Sequence, residues 1–284
     1  MAHAEQITDR CSYHGEGPFW DEKRSRLRFV DMLAGDVVTL LPNGRLTRRH
    51  VDDIAAVVRA REDGGYVVAV ERGFALLDAD WTREDTIHVF DSPEIRMNEG
   101  GCDPQGRFYC GSMAYAAAPG AGALYRLDPD RTVHTVLADV SIPNGLQWSA
   151  DGARAFHTDT TTGTISAYDF DGDAGRLLNP RPFITIDASD GAPDGCAVDD
   201  EDGLWVALWG GAGVRRYDSD GALTEVIELP TTNVTACTFA GPGSSDLYIT
   251  TSMENVDAAA EPAAGAIFLA SVGTRGVAQQ CFAG

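Results

Sequence analysis

Glu16-Gly-Pro-Phe-Trp-Asp-Glu-Lys-Arg-Ser-Arg-Leu-Arg-Phe-Val-Asp31 and Asn144-Gly-Leu-Gln-Trp-Ser-Ala-Asp-Gly-Ala-Arg-Ala-Phe-His-Thr-Asp159 superimpose without a gap. The same sixteen-residue frame accepts the stretches from Asn98 (NEGGCDPQGRFYCGSM) and from Asp194 (DGCAVDDEDGLWVALW). Weaker copies begin at Ala56 (AVVRAREDGGYVVAVE) and near Thr235 (TACTFAGPGSSDLYITTS), the last with an insertion in its turn. Each copy reads as a strand, a turn built on Asp or Ser with Gly, and a second apolar strand, which is a β-hairpin pattern. The starts at 16, 56, 98, 144, 194 and 235 lie 40 to 50 residues apart. That period fits a four-stranded propeller blade and is too long for leucine-rich or ankyrin repeats.

Segments such as GDVVTLLP, GFALLDA, GALYRLD, GTISAYDF, AGVRRYDS and GAIFLASV alternate in hydrophobicity and supply the outer strands. The expectation is an all-β chain, residues 1–284 forming a single six-bladed β-propeller domain with a central metal-binding channel. An open ring would leave unpaired strand edges, so the segment around Gln6 to Cys11 is expected to join the last blade. AYAAAPGAG and ENVDAAAEPAAG read as surface loops.

Composition narrows the partners. A net charge of −21 repels phosphate backbones and anionic membranes, which excludes nucleic-acid and membrane-surface binding. No run approaches the roughly 18 apolar residues a membrane span needs, and MAHAEQITDR lacks the apolar stretch of a signal peptide. A cytoplasmic protein, monomeric or weakly homo-oligomeric, is expected. The six cysteines show no metal or CxxC spacing, so they read as reduced, buried thiols.

In a propeller the first strand of each blade lines the axis, so residues at one repeat position converge at one mouth of the channel. Position one holds Glu16, Ala56, Asn98, Asn144, Asp194 and Thr235. Five of these carry side-chain oxygen, the ligand type that hard divalent cations favour. Pro143-Asn144-Gly145 and Pro193-Asp194-Gly195 also read singly as turn tripeptides. Their agreement in phase with Glu16 favours convergence, and clustered carboxylates would repel one another without a cation. Asp31, Glu71 and Asp159, at position sixteen, either orient such ligands or hydrogen-bond the blade turns. The histidines share no ligand spacing and read as solvated or structural. No Gly-x-Ser-x-Gly elbow or Walker-type loop is present.

Gly-Glu-Gly-Pro-x-Trp, Arg-x-Asn-x-Gly-x-x-Asp-Pro-x-Gly-Arg, Asn-Gly-x-x-Trp-Ser and Pro-Asp-Gly-x-x-x-Asp-x-x-Gly-x-Leu-Trp occur in order along the chain. In these motifs the sequence resembles the regucalcin, gluconolactonase and sugar-lactonase family. The run Leu204-Trp-Val-Ala-Leu-Trp-Gly-Gly211 is most similar to its bacterial aldonolactonase branch. The resemblance implies one divalent cation (Ca2+, Mg2+, Mn2+, Zn2+ or Fe2+) on Glu16, Asn144 and Asp194, with Arg96, Asn98 and Glu99 toward substrate. Glu99 stands where the family usually has Asp. The loop after Met113 lacks an acidic residue some relatives use against sugar hydroxyls and offers Tyr115 and a run of Ala.

The implied reaction opens an aldono-1,4- or 1,5-lactone, such as xylono-, arabino- or gluconolactone, to the aldonic acid. The metal polarises the carbonyl, and Asp194 or a hydroxide on the metal acts as base or nucleophile. Two alternatives stay open at this level: a metal-dependent aryl-ester or organophosphate hydrolase, and a non-catalytic calcium-binding propeller.

Overall fold

Every copy of the repeat folds as the two inner strands of a four-stranded antiparallel sheet, and six such sheets make up a six-bladed β-propeller. The computed structural model describes residues 3–241 and 243–284. The inner strands are Gly15–Asp21, Ala55–Ala60, Ile95–Cys102, Pro143–Trp148, Ala192–Val198 and Val234–Phe239. Each touches the inner strand on either side, and the sixth touches the first. The inner and second strands are nearly all buried, while outer strands such as Leu46–His50 and Arg83–His88 alternate toward solvent. Continuous apolar runs therefore lie inside and amphipathic ones outside, as two-sided and one-sided burial demand.

The ring closes as expected, with a small shift in place. The pairing strand is Ala4–Gln6, antiparallel to Phe268–Ser271, so the sixth blade takes its outer strand from the start of the chain. Residues 7 to 12 continue along that edge through Ile7 N–H to Ile267 O and Cys11 N–H to Gly265 O, both 2.9 Å. The C-terminal end packs beneath blades 2 and 3, where Phe282 exchanges backbone bonds with Ala60 and Glu62. All six cysteines are free thiols, four of them buried.

A polar device recurs where the inner hairpin turns. Asp21, Asp103 and Asp199 occupy the same repeat position and pair with Arg28 (2.9 Å), Arg107 (2.6 Å) and Arg216 (2.7 Å). The hydroxyls of Tyr66 and Tyr109 and the indole N–H of Trp205 donate to these carboxylates. Such buried pairs hold their geometry because removing one partner strands a charge. This end of the propeller carries a cavity of about 350 Å³, lined by residues such as Trp148, Phe239 and Gln279, and none of the expected ligands reaches it.

Candidate functional site

At the opposite mouth the six inner strands share one irregularity. The pairing register with the second strand slips at Glu16/Phe19, Ala55/Val57, Met97/Gly100, Asn144/Gln147, Pro193/Cys196 and Val234/Ala236. Every position-one residue therefore sits in or beside a β-bulge, the feature that bends a strand and re-aims a side chain. Pro143-Asn144-Gly145 and Pro193-Asp194-Gly195 are thus bulges within strands and not turns. Gly145 has φ +56°, and a Cβ there would come within 3.0 Å of the Asp194 carbonyl oxygen. Glycine is needed at that point both for the backbone and for the approach of blade 5.

The six position-one residues are all buried, and their charges interact. Asp194 is pushed well above the usual carboxylate range by burial and by Glu16 and Glu99. Glu16 is raised by burial and by Glu99. Burial also lifts Glu99, to about 7. These effects bring Glu16, Asp194 and Glu99 into one electrostatic neighbourhood, with the guanidinium of Arg96 acting on the first two. Asp194 Oδ1 is buried without a hydrogen-bond partner. Glu16 Oε2 accepts from the N–H of its neighbour Gly17, 2.9 Å.

A chain of hydrogen bonds orders the neutral members. Arg96 donates to Asn98 Oδ1 (2.7 Å), and Asn98 Nδ2 donates to Asn144 Oδ1 (3.0 Å) and Pro143 O (2.9 Å). Asn144 Nδ2 donates to Thr160 Oγ1 (2.8 Å), whose own proton goes to Pro193 O (2.8 Å). Asn98 thereby fixes the rotation of Asn144, a different emphasis from the substrate contact its motif implies. Glu99 accepts from Leu146 N–H (3.2 Å) and feels Arg59. Thr235 spends its hydroxyl on Gly15 O (2.6 Å), tying blade 6 to blade 1.

At position sixteen, Asp31 and Asp159 serve structure. Asp31 accepts from the N–H groups of Tyr13 and His14, and Asp159 from those of Ser141 and Ile142. Each thus holds the entry into its own inner strand. Glu71 instead accepts from the Tyr115 hydroxyl, 2.7 Å.

Two residues of this region escaped the sequence reading. His14, one of the histidines read as solvated or structural, is buried, with Nδ1 2.8 Å from Ser252 Oγ and 3.3 Å from Glu254. Burial first, and then Arg96, push its pKa down to about 3, so the ring is neutral. It stands two residues before Glu16, the spacing that shares a strand face. Arg59, also buried, donates to Gly17 O, Val58 O and Gly100 O. A lone arginine within the apolar strand AAVVRA was the available signal.

The set suits a hard cation. Among the described residues no group of three His, Cys, Asp or Glu side chains stands ready to hold a metal by itself. Two carboxylates and one amide oxygen remain, from Glu16, Asp194 and Asn144. The unpartnered Asp194 oxygen and the mutual repulsion of the carboxylates are what a bound cation would relieve.

Bulged inner strands that carry oxygen-bearing side chains at one repeat position define a propeller with an acidic, oxygen-lined axial site. The family model described as the SMP-30/Gluconolactonase/LRE-like region matches residues 14–253, and the chain belongs to that family. It is 34% identical to the regucalcin of Danio rerio over 282 residues, 95% of each chain. It is 32% identical to a Bacillus subtilis (strain 168) protein named "Putative sugar lactone lactonase YvrE" over 281 residues, again 95% of each. Among solved structures, a calcium-binding protein, regucalcin, from Agrobacterium tumefaciens str. C58 superimposes with a TM-score of 0.91 at 27% identity, covering 98% of this chain and 96% of that one.

Proposed function

We propose that this protein is a metal-dependent sugar lactonase. In this reading it opens an aldono-1,4- or 1,5-lactone to the aldonic acid, with one divalent cation held by Glu16, Asn144 and Asp194. The observation that carries the reading is the buried, partnerless Oδ1 of Asp194 beside the repelling carboxyl of Glu16. The family and the name of the Bacillus relative support a lactone as the substrate.

The cation, when bound, supplies a Lewis acid for the lactone carbonyl. The protein's own groups do the rest. The Asp194 carboxylate, through the oxygen the cation leaves free, takes the proton of the attacking water and returns it to the ring oxygen as that oxygen leaves as an alcohol. Arg96, fixed through Asn98, presents its remaining N–H groups to substrate oxygens. Asn98 and Thr160 fix the rotation of the Asn144 amide through a hydrogen bond at each of its ends. Glu99 backs the site from beneath, as the counter-charge of Arg59.

The test is a pH-indicator assay over pentono- and hexonolactones with Ca2+, Mg2+, Mn2+, Zn2+ and Fe2+, before and after chelation. Hydrolysis that chelation abolishes and a cation restores is expected, and Asp194→Asn is expected to lose it. Turnover indifferent to chelation removes the metal from the reading. Cation binding without turnover of any lactone reassigns the protein as a cation-binding propeller.

A further inference from the structure

The cavity at the end of the propeller away from the axial oxygens has apolar walls from Leu146, Trp148, Phe239 and Val277, and the Arg59 side chain lies among them. Arg59 is buried. Its Nη1 donates to Gly17 O and Val58 O and its Nη2 to Gly100 O, which leaves the Nε–H over. Among the described residues it has no salt bridge; Glu99 acts on it at longer range and does not line the cavity. The carboxylate that does line it, Asp151, is spent on its own turn, accepting from Ser149 Oγ (2.7 Å) and Ala153 N–H (2.9 Å).

Room beside the guanidinium comes from Gly101. A Cβ there would stand 3.7 Å from Arg59 Nη2 and 3.9 Å from Trp148 Cζ3, both ordinary contact distances, so a missing side chain keeps this space open. The C-terminal segment adds a further wall. It is bonded at Gly276 to Ser244 O and at Phe282 to Ala60 O, and Val277 to Gln280 run along the cavity between those points. The volume of about 350 Å³ falls within the range of small-molecule pockets, roughly 300 to 1,000 Å³. A buried guanidinium without a salt bridge, facing apolar walls, suits one kind of molecule: an anion whose planar head takes the N–H groups and whose body is apolar. We propose that this cavity is a second binding site, for a small monocarboxylate with an apolar body, its carboxylate on Arg59 and its body against Leu146, Trp148 and Phe239. Lactone turnover plays no part in the proposal, so it stands or falls apart from the lactonase reading.

The experiment is calorimetric titration of the full chain with benzoate, phenylacetate and isovalerate, each against its own uncharged amide, with and without chelator. A hydrogen bond to a charged group carries about ten-fold in affinity, so an acid that binds is expected to bind about ten-fold more tightly than its amide. Gly101→Leu fills the space beside Arg59 and is expected to weaken that binding at least about ten-fold. Arg59→Met is expected to erase the difference between acid and amide. Should that variant fail to fold, the parent's preference for the acid and the loss in Gly101→Leu decide. No binding of any of the three acids at millimolar concentration overturns the proposal. Acid and amide bound equally by the parent, or affinity unchanged in Gly101→Leu, does the same. Binding that chelation removes places the carboxylate on a cation at the axial site and also overturns it.

Discussion

Glu99→Gln should stabilise the cation-free protein at alkaline pH and do little at acid pH. Glu99 is buried, and its carboxyl is raised from 4.5 to about 7, chiefly by burial. A folded-state value above the unfolded one means that the folded protein holds the proton more tightly. The stability this group contributes is therefore intact below about pH 4.5 and is lost as pH rises through about 7. The difference in the two values corresponds to about 3 kcal/mol. Gln carries no charge at any pH and still accepts from Leu146 N–H, but its amide donors face Arg59, which returns about 1 kcal/mol. The net gain at pH 8 is about 2 kcal/mol, or roughly 4 to 8 °C in Tm. Thermal melts of chelator-treated parent and variant at pH 5 and pH 8, followed by circular dichroism, measure it. A variant that melts at or below the parent at pH 8, or with the same offset at both values, refutes the account of a carboxyl whose charge burial disfavours.

His157 is buried with Nε2 unpartnered, and burial pushes its pKa from 6.5 down to about 4. Its contribution is full above about pH 6.5 and is lost toward pH 4, so His157→Leu should flatten the acid limb of urea-denaturation stability by about 3 kcal/mol. Gly145→Ala adds left-handed strain of about 1 to 2 kcal/mol and presses on the Asp194 carbonyl. It should weaken the cation-induced rise in Tm, whereas Gly44→Ala, whose Cβ meets nothing, should carry strain alone and keep that rise. Deleting residues 1–8 removes the strand Ala4–Gln6 and bares the edge of Phe268–Ser271. Light scattering after size exclusion should then show self-association in place of the parent's species.

The repeat was legible because each blade buries its inner hairpin in the same phase, and phase is what an ungapped self-match reports. That phase put Glu16, Asn98, Asn144, Asp194 and Thr235 at one repeat position, and the family resemblance singled out Glu16, Asn144 and Asp194 among them. The bulges themselves were not legible, because Pro-Asn-Gly and Pro-Asp-Gly carry the same local preferences in a turn and in a bulged strand. His14 was missed for a related reason. It precedes the frame, and its partners Ser252 and Glu254 come from a hairpin loop of blade 6 whose length follows no repeat. For Asp31 and Asp159 the sequence left two roles open, orienting ligands or hydrogen-bonding the blade turns, and the structure shows the second. Only coordinates show that their oxygens are spent on the N–H groups of the incoming chain.

Arg59 explains how the bulges are tolerated. Turning Glu16 and Asn98 toward the mouth disrupts the ladder in blades 1 and 3, and the carbonyls of Gly17 and Gly100 turn to the axis, where no strand can pair them. Blade 2 places Ala56 at position one, which supplies no oxygen but leaves room. Three residues on, Arg59 reaches the axis and donates to both carbonyls, 3.3 and 2.9 Å. Its charge also lowers Glu99 against the burial that raises it. One guanidinium thus satisfies the backbone that the bulges disturb and partly neutralises the carboxylate beneath the site. It does so from the side of the far cavity, whose lining it joins. The axial oxygens are consequently backed by the Arg59 guanidinium from one side, while Arg96, with the Tyr115 ring 6.0 Å from its Cζ, acts on them from another.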